Sequence, residues 1–202
     1  MKSSSLFQRL SCATMLAAAA LLSGCASSSY VDTATREVPV ANYKKLAQPK
    51  LVKLNFEFQT KGVPNSRATD FLKAQVNEQL LASGLFTPAS ADSNADLLNV
   101  TLNNVPVDGQ NPAMKGFVTG LTFGLAGTTV TDGYICTINY LPTGSNSSVS
   151  GTARHAIHTT IGNSSAPQNA EKSENMEAAV RKMTRDVVST ALQDLSNAPG
   201  FN

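Results

Sequence analysis

The sequence predicts an α+β domain. A mixed, mainly antiparallel sheet has two helices packed on one face, in the order β-α-β-(apolar Gly-rich insert)-β-β-α. Three observations predict it. Four separate runs alternate apolar and polar residues, the mark of strands with one buried face. Two other stretches carry apolar residues at helical spacing. About 150 residues follow the amino-terminal 50, enough for one domain with a proper core, and no internal repeat divides them.

The elements follow in order. Residues 26–50 contain Ser, Thr and Pro without a sustained apolar period, so they read as a tether from which Val38, Val40 and Tyr43 can dock on the domain. In Leu51–Gln59, Val52, Leu54, Phe56 and Phe58 alternate with Lys53, Asn55, Glu57 and Gln59, a half-buried strand. Gly62, Pro64 and Asn65 make a turn, and Asn65 or Ser66 caps a helix reaching about Ser83. Leu72, Val76 and Leu80 form its stripe, widened by Phe71 and Leu81, and Gly84 is its left-handed stop. Leu85 and Phe86 tuck back into the core. Ala95–Val105 is a second strand on Leu98, Val100 and Leu102. Its Asn99, Thr101 and Asn103, with Asn104, are a solvated polar surface or a polar ligand's footing. Tyr134–Leu141 and Val149–Ile161 are two more strands, joined by a hairpin turn at Pro142–Asn146. A last helix runs from about Ser173 to Leu195, with Met176, Val180, Met183, Val187, Ala191 and Leu195 buried and Glu174 and Glu177 near its positive end.

The insert Gly116–Thr131 carries no charge between Lys115 and Asp132. Gly116, Gly120 and Gly124 recur every four residues. On a helix they line one face and admit a second backbone, while Phe117, Leu121, Phe123 and Leu125 cover the rest. The segment falls short of a helical membrane span. A helical arm for self-association or a partner, a segment in the membrane interface, a β-hairpin, and an apolar loop folded over the sheet all remain open.

Chemistry-bearing residues are few. His155 and His158 are the only histidines. Three apart on a strand, they point to opposite faces and cannot converge on one metal. Cys136 shares a strand face with Tyr134, Ile138 and Tyr140 and reads as a core cysteine. A nucleophile role would need His155 from the neighbouring strand as base. No nucleophile elbow, Walker loop or dinucleotide fingerprint occurs in its required context. The expectation is therefore a protein that is not an enzyme, with neither metal nor diffusible cofactor.

The amino terminus is the most specific part of the chain. Lys2 and Arg9 precede an apolar run, Met15–Leu22, far shorter than the ~20 residues of a spanning helix. The run ends in Leu22-Ser23-Gly24-Cys25. These residues resemble a bacterial lipoprotein signal peptide with its lipobox. The resemblance implies cleavage before Cys25, a diacylglyceryl thioether on its sulfur and an acylated amine, an attachment that several acyl chains make effectively stable. Ala26 and Ser27, in place of Asp, resemble the outer-membrane sorting pattern of Gram-negative lipoproteins. That implies an outer-membrane protein whose domain faces the periplasm.

The chain then divides into a signal peptide (1–24), a lipidated terminus and tether (25–50), and one domain (51–197) with an apolar insert (113–131). Removing Lys2 and Arg9 from the 16 basic residues leaves 14, against 14 acidic ones. A balanced charge without a polybasic run gives nucleic acid no electrostatic footprint. Cys12 leaves with the signal peptide and Cys25 is lipidated, so Cys136 has no disulfide partner.

The element order resembles small periplasmic α/β domains, such as those of the lipopolysaccharide-assembly lipoprotein and the amino-terminal domain of the Tol-system propeller protein. The resemblance rests on topology and lipobox, and no functional residue follows from it. Two expectations result. One is a non-enzymatic accessory or assembly factor that touches membrane lipid through Cys25 and an envelope protein partner through the insert. The other is a self-oligomerising membrane-associated protein built on Gly116, Gly120 and Gly124.

Overall fold

The computed structural model of the protein describes residues 27–90, 93–107, 129–162 and 165–201. It is an α+β fold. The chain runs through β1 (Ser27–Asp32), a short 3-10 turn (Val40–Asn42), β2 (Lys50–Thr60), β3 (Val63–Pro64), α1 (Ser66–Ala82), β4 (Phe86–Pro88) and β5 (Asp96–Pro106). It continues through β6 (Thr129–Leu141), β7 (Val149–Ile161), β8 (Ala170–Lys172) and α2 (Met176–Asn197). The strands form one eight-stranded sheet ordered β3-β2-β5-β6-β7-β1-β8, with β4 also against β2. Strand β2 is parallel to β4 and β5; the other pairings are antiparallel.

Register explains the core. Phe56, Val100, Ile138 and Gly151 lie in one row across β2, β5, β6 and β7. Phe58, Leu102, Cys136 and Ala153 form the next. This face meets both helices: Leu72, Val76 and Leu80 of α1, and Met183, Val187, Ala191 and Leu195 of α2, are all buried. The period-two runs thus deliver one apolar face, as alternation requires. The opposite face is polar at mid-sheet, where Asn55 donates to Asn99 at 3.3 Å and Ser150 to Asn139 at 3.0 Å.

Local signals set the boundaries. Asn65 caps α1 by accepting from the Ala68 amide at 3.1 Å. Gly84, at φ 72°, turns the chain after α1. Lys61 (φ 53°) and Gly62 (φ 79°) are the two central residues of the tight β2–β3 hairpin, the left-handed pair that matches strand twist. Helix α2 begins at Met176 rather than near Ser173, and Asn175 caps it by accepting from the Ala178 amide at 2.8 Å.

Several expectations are corrected. The tether does not begin as one: Ser27–Asp32 is a strand between β7 and β8, with Val31 fully buried. The chain beyond it is laced along α2. Ser189 accepts from the Val38 amide at 2.9 Å, Ser196 accepts from the Lys44 amide at 3.1 Å, and Thr190 donates to the Arg36 carbonyl at 3.3 Å. Three hydroxyls on α2 thereby satisfy an extended backbone that has no strand partner there. Tyr43 is buried as expected, whereas Val40 is exposed.

Met176, placed in the buried stripe, is 42% exposed, because it opens the helix beyond the sheet contact. Phe71 and Leu81 also lie at the surface. Phe71 instead carries the Arg181 guanidinium 4.2 Å above its ring, a cation–π contact. Strand β6 starts five residues before Tyr134, so Thr129, Val130 and Thr131 belong to the sheet rather than to the insert. The domain also extends past residue 197: Phe201 is buried edge-on against Tyr140 (5.2 Å) and Phe86 (5.9 Å).

Candidate functional site

Leu22, Ser23, Gly24 and Cys25, expected to form a lipobox, and Gly116, Phe117, Gly120, Leu121, Phe123, Gly124 and Leu125 of the insert, lie outside the described residues. Their points of attachment are described, and they converge. Ser27 pairs with Ile161, the last residue of β7. Thr129, the first residue of β6, pairs with Thr160. Pro106, the last residue of β5, pairs with Asp132 of β6. The chain toward Cys25 and both limbs of the insert therefore leave from one end of the sheet. The Ser173 amide donates to the Ser29 carbonyl at 2.8 Å, which brings the start of α2 to the same end.

The two histidines point to opposite faces, and both are buried. On the helix face, the Ala156 amide donates to Nδ1 of His155 at 2.8 Å. Nε2 of the same ring lies 3.3 Å from Oδ2 of Asp186. Lys182 Nζ donates to the same oxygen at 2.9 Å. Burial alone would raise the Asp186 pKa; the hydrogen bonds from His155 and Lys182, with their charges, outweigh it and hold the carboxyl below its ordinary 3.8.

On the other face, Nδ1 of His158 is 2.8 Å from Oγ1 of Thr131, and Nε2 is 3.5 Å from Oδ2 of Asp32. Oδ1 of Asp32 accepts from the Ala34 amide at 2.7 Å. The polar row Thr131–His158–Asp32 thus braces β6, β7 and β1 together. Tyr30, paired with His158 across the strands, is buried beside it. This part of the second face is closed, with Asp32 and Thr160 also buried.

Cys136 is buried, and burial pushes its thiol up to about 12. It pairs across strands with Ala153, whereas His155 lies opposite Tyr134 and turns to Asp186. The structure does not bring thiol and imidazole together as nucleophile and base. Among the described residues no group of three His, Cys, Asp or Glu is placed to hold a metal ion, and no helix is long and apolar enough to cross a membrane.

Sequence reasoning missed a groove between the helices. It measures about 550 Å3 and is lined by Glu37, Gln75, Glu78, Gln79, Arg181 and Arg185, among others. Gln75 and Gln79 of α1 donate to the backbone carbonyls of Arg181 and Arg185 at 2.9 and 2.7 Å. The i, i+4 spacing of the two glutamines is the signal that was available.

Fold and site together define a small α+β domain whose two sequence-marked segments depart from one sheet end. No protein-family model matches the chain, and no curated protein matches it. Among solved structures, the chain is similar to a PelC dodecamer from Paraburkholderia phytofirmans, at 12% identity, 84% coverage of this chain, 97% of that one, and a TM-score of 0.35. A likeness of that size leaves function to be read from this chain's own residues.

Proposed function

We propose that the protein is a lipid-anchored, non-enzymatic accessory factor of the Gram-negative envelope, held in the outer membrane through Cys25, with its domain facing the periplasm and binding a protein partner. One observation carries the reading. Ser27, two residues beyond Cys25, is already hydrogen-bonded into the sheet. A lipid on Cys25 would hold a folded surface at the membrane instead of a domain on a loose leash. The buried, proton-retaining Cys136 and the Asp186-bound His155 support a role without covalent chemistry.

The insert is the docking segment in this reading. Its deletion is practical because β5 and β6 are already antiparallel neighbours. Replacing residues 111–127 with Asn-Gly continues the Pro106–Asp132 register to a Gln110–Thr128 pair, keeps Thr131 on His158 and closes the strands with a favoured turn. Affinity purification from detergent-solubilised membranes then compares the two proteins. Loss of a co-purifying partner, with cooperative unfolding retained, is the expected result. An unchanged set of partners removes the proposal. If the species lost is a second copy of the chain, the self-association reading of Gly116, Gly120 and Gly124 replaces it.

A further inference from the structure

We infer that the sheet end around Ser27 is a membrane seat, on which the domain stands end-on against a phospholipid bilayer through Val130, Ile161 and Met176. The inference rests on the lipid-anchor reading of Cys25 and adds the face that meets the lipid. From Cys25 to Ser27 the chain spans at most about 7 Å. The headgroup layer is of similar depth, about 5–8 Å per leaflet. The anchor thus leaves this end no room to stand clear of the bilayer.

The side chains at that end suit the contact. Val130 is 53%, Ile161 41% and Met176 42% exposed. Ile161 lies directly opposite Ser27, and Val130 pairs with Thr159 two residues behind it. Residues 27–29 and 172–176 border one common recess, which places Met176 at the same level. Lys172 is offset by Glu171 and Glu174 in the adjoining sequence, so Val130, Ile161 and Met176 meet the lipid from a rim of polar residues with no excess positive charge, and the seat needs no anionic lipid.

The strands grade the other exposed apolar residues by height. Val63 pairs with Thr60, which lies level with Asn104, Tyr134 and His155. That is six residues behind Ile161, or about 20 Å at 3.3 Å per residue. Leu97 pairs with Leu141 beyond the far end of β7, about 40 Å away.

The test uses the full chain, carrying Val130→Cys, Met176→Cys, Val63→Cys or Leu97→Cys one at a time. Each site is exposed, and Cys136 is shielded from the label. Each purified lipoprotein is labelled with bimane and reconstituted in phosphatidylcholine vesicles doped with doxyl lipid. The mass of the Cys25 peptide is read on the same sample. Most of the bimane emission should be lost at positions 130 and 176, less at 63, and least at 97, with the ranking unchanged in high salt. Equal quenching at all four sites, or greatest quenching at 97, overturns the seat while leaving the anchor intact. A ranking that collapses in high salt overturns it in favour of charged headgroup contacts. An unmodified Cys25 peptide overturns the anchor, and the seat with it.

Discussion

Asp186 makes a buried imidazole and a half-buried ammonium acceptable in the helix layer. His155 has no solvent access, and Asp186 accepts from both it and Lys182. Asp186→Ala removes the shared acceptor and leaves a buried N–H unsatisfied. It should cost about 1–3 kcal/mol, read as a lower urea midpoint. The sign of the pH effect follows from the depressed carboxyl pKa. Its contribution is present above the ordinary 3.8 and is lost as pH falls through the lower folded value. The acid limb of the stability curve should therefore flatten in Asp186→Asn. Cys136 supplies a second check: buried and held protonated up to about 12, it should resist iodoacetamide in the native protein at pH 8 and react once urea unfolds it. Period two was enough to place the histidines on opposite faces and Cys136 in the core. It was silent on Asp186 and Asp32, because those contacts depend on how α2 and β1 register against the sheet.

Helix α2 is the element on which the fold turns. A Cβ at Gly151 would collide with the backbone of Ala191 and Leu195, so the helix rides directly on β7. Gly151→Ala should cost at least about 1–3 kcal/mol by overpacking, and Gly151→Val should abolish cooperative unfolding in calorimetry. The outer side of α2 holds residues 36–44 through Ser189, Thr190 and Ser196. Ser189→Ala orphans the Val38 amide and should cost about 1 kcal/mol; hydrogen exchange at Val38 should accelerate while exchange in β6 stays protected. Most ends of the strands and helices with strong periods were legible to within a residue or two, but β6 begins five residues before its expected start and α2 about three after. The segment from 27 to 44 was not, because its buried apolar residues Tyr30, Val31 and Tyr43 make no period and hydroxyls on a distant helix supply its hydrogen bonds. Short edge strands such as β3 and β8 escape notice for the same reason, although they cap a sheet that would otherwise present a bare edge.

At the scale of the molecule, the two ends of the described chain close opposite ends of one sheet. Ser27 enters beside Ile161. Phe201 closes the other end, against Tyr140 and Phe86, with Lys50 Nζ 5.5 Å from the Tyr140 ring centre. Tyr140 donates to Asp96, which also accepts from the Thr143 amide, so the aromatic lid is tied to the β6–β7 turn. The lipobox-like Leu22–Cys25 stretch and the apolar insert were visible in the sequence. Their departure from one end was not, since it follows only from strand order and register. If the ends act independently, damage to the lid should weaken the fold without disturbing the seat. Phe201→Ala empties a site that is 1% exposed and should cost about 3–5 kcal/mol. For a chain of this size each kcal/mol lowers Tm by roughly 2–4 °C, so calorimetry should record a drop of roughly 6–20 °C. The ranking of quenching among positions 130, 63 and 97 should survive in the folded variant. A reordered ranking would mean that the two ends communicate through α2, the one helix that joins the Ser27 end to the Gly151 end of β7.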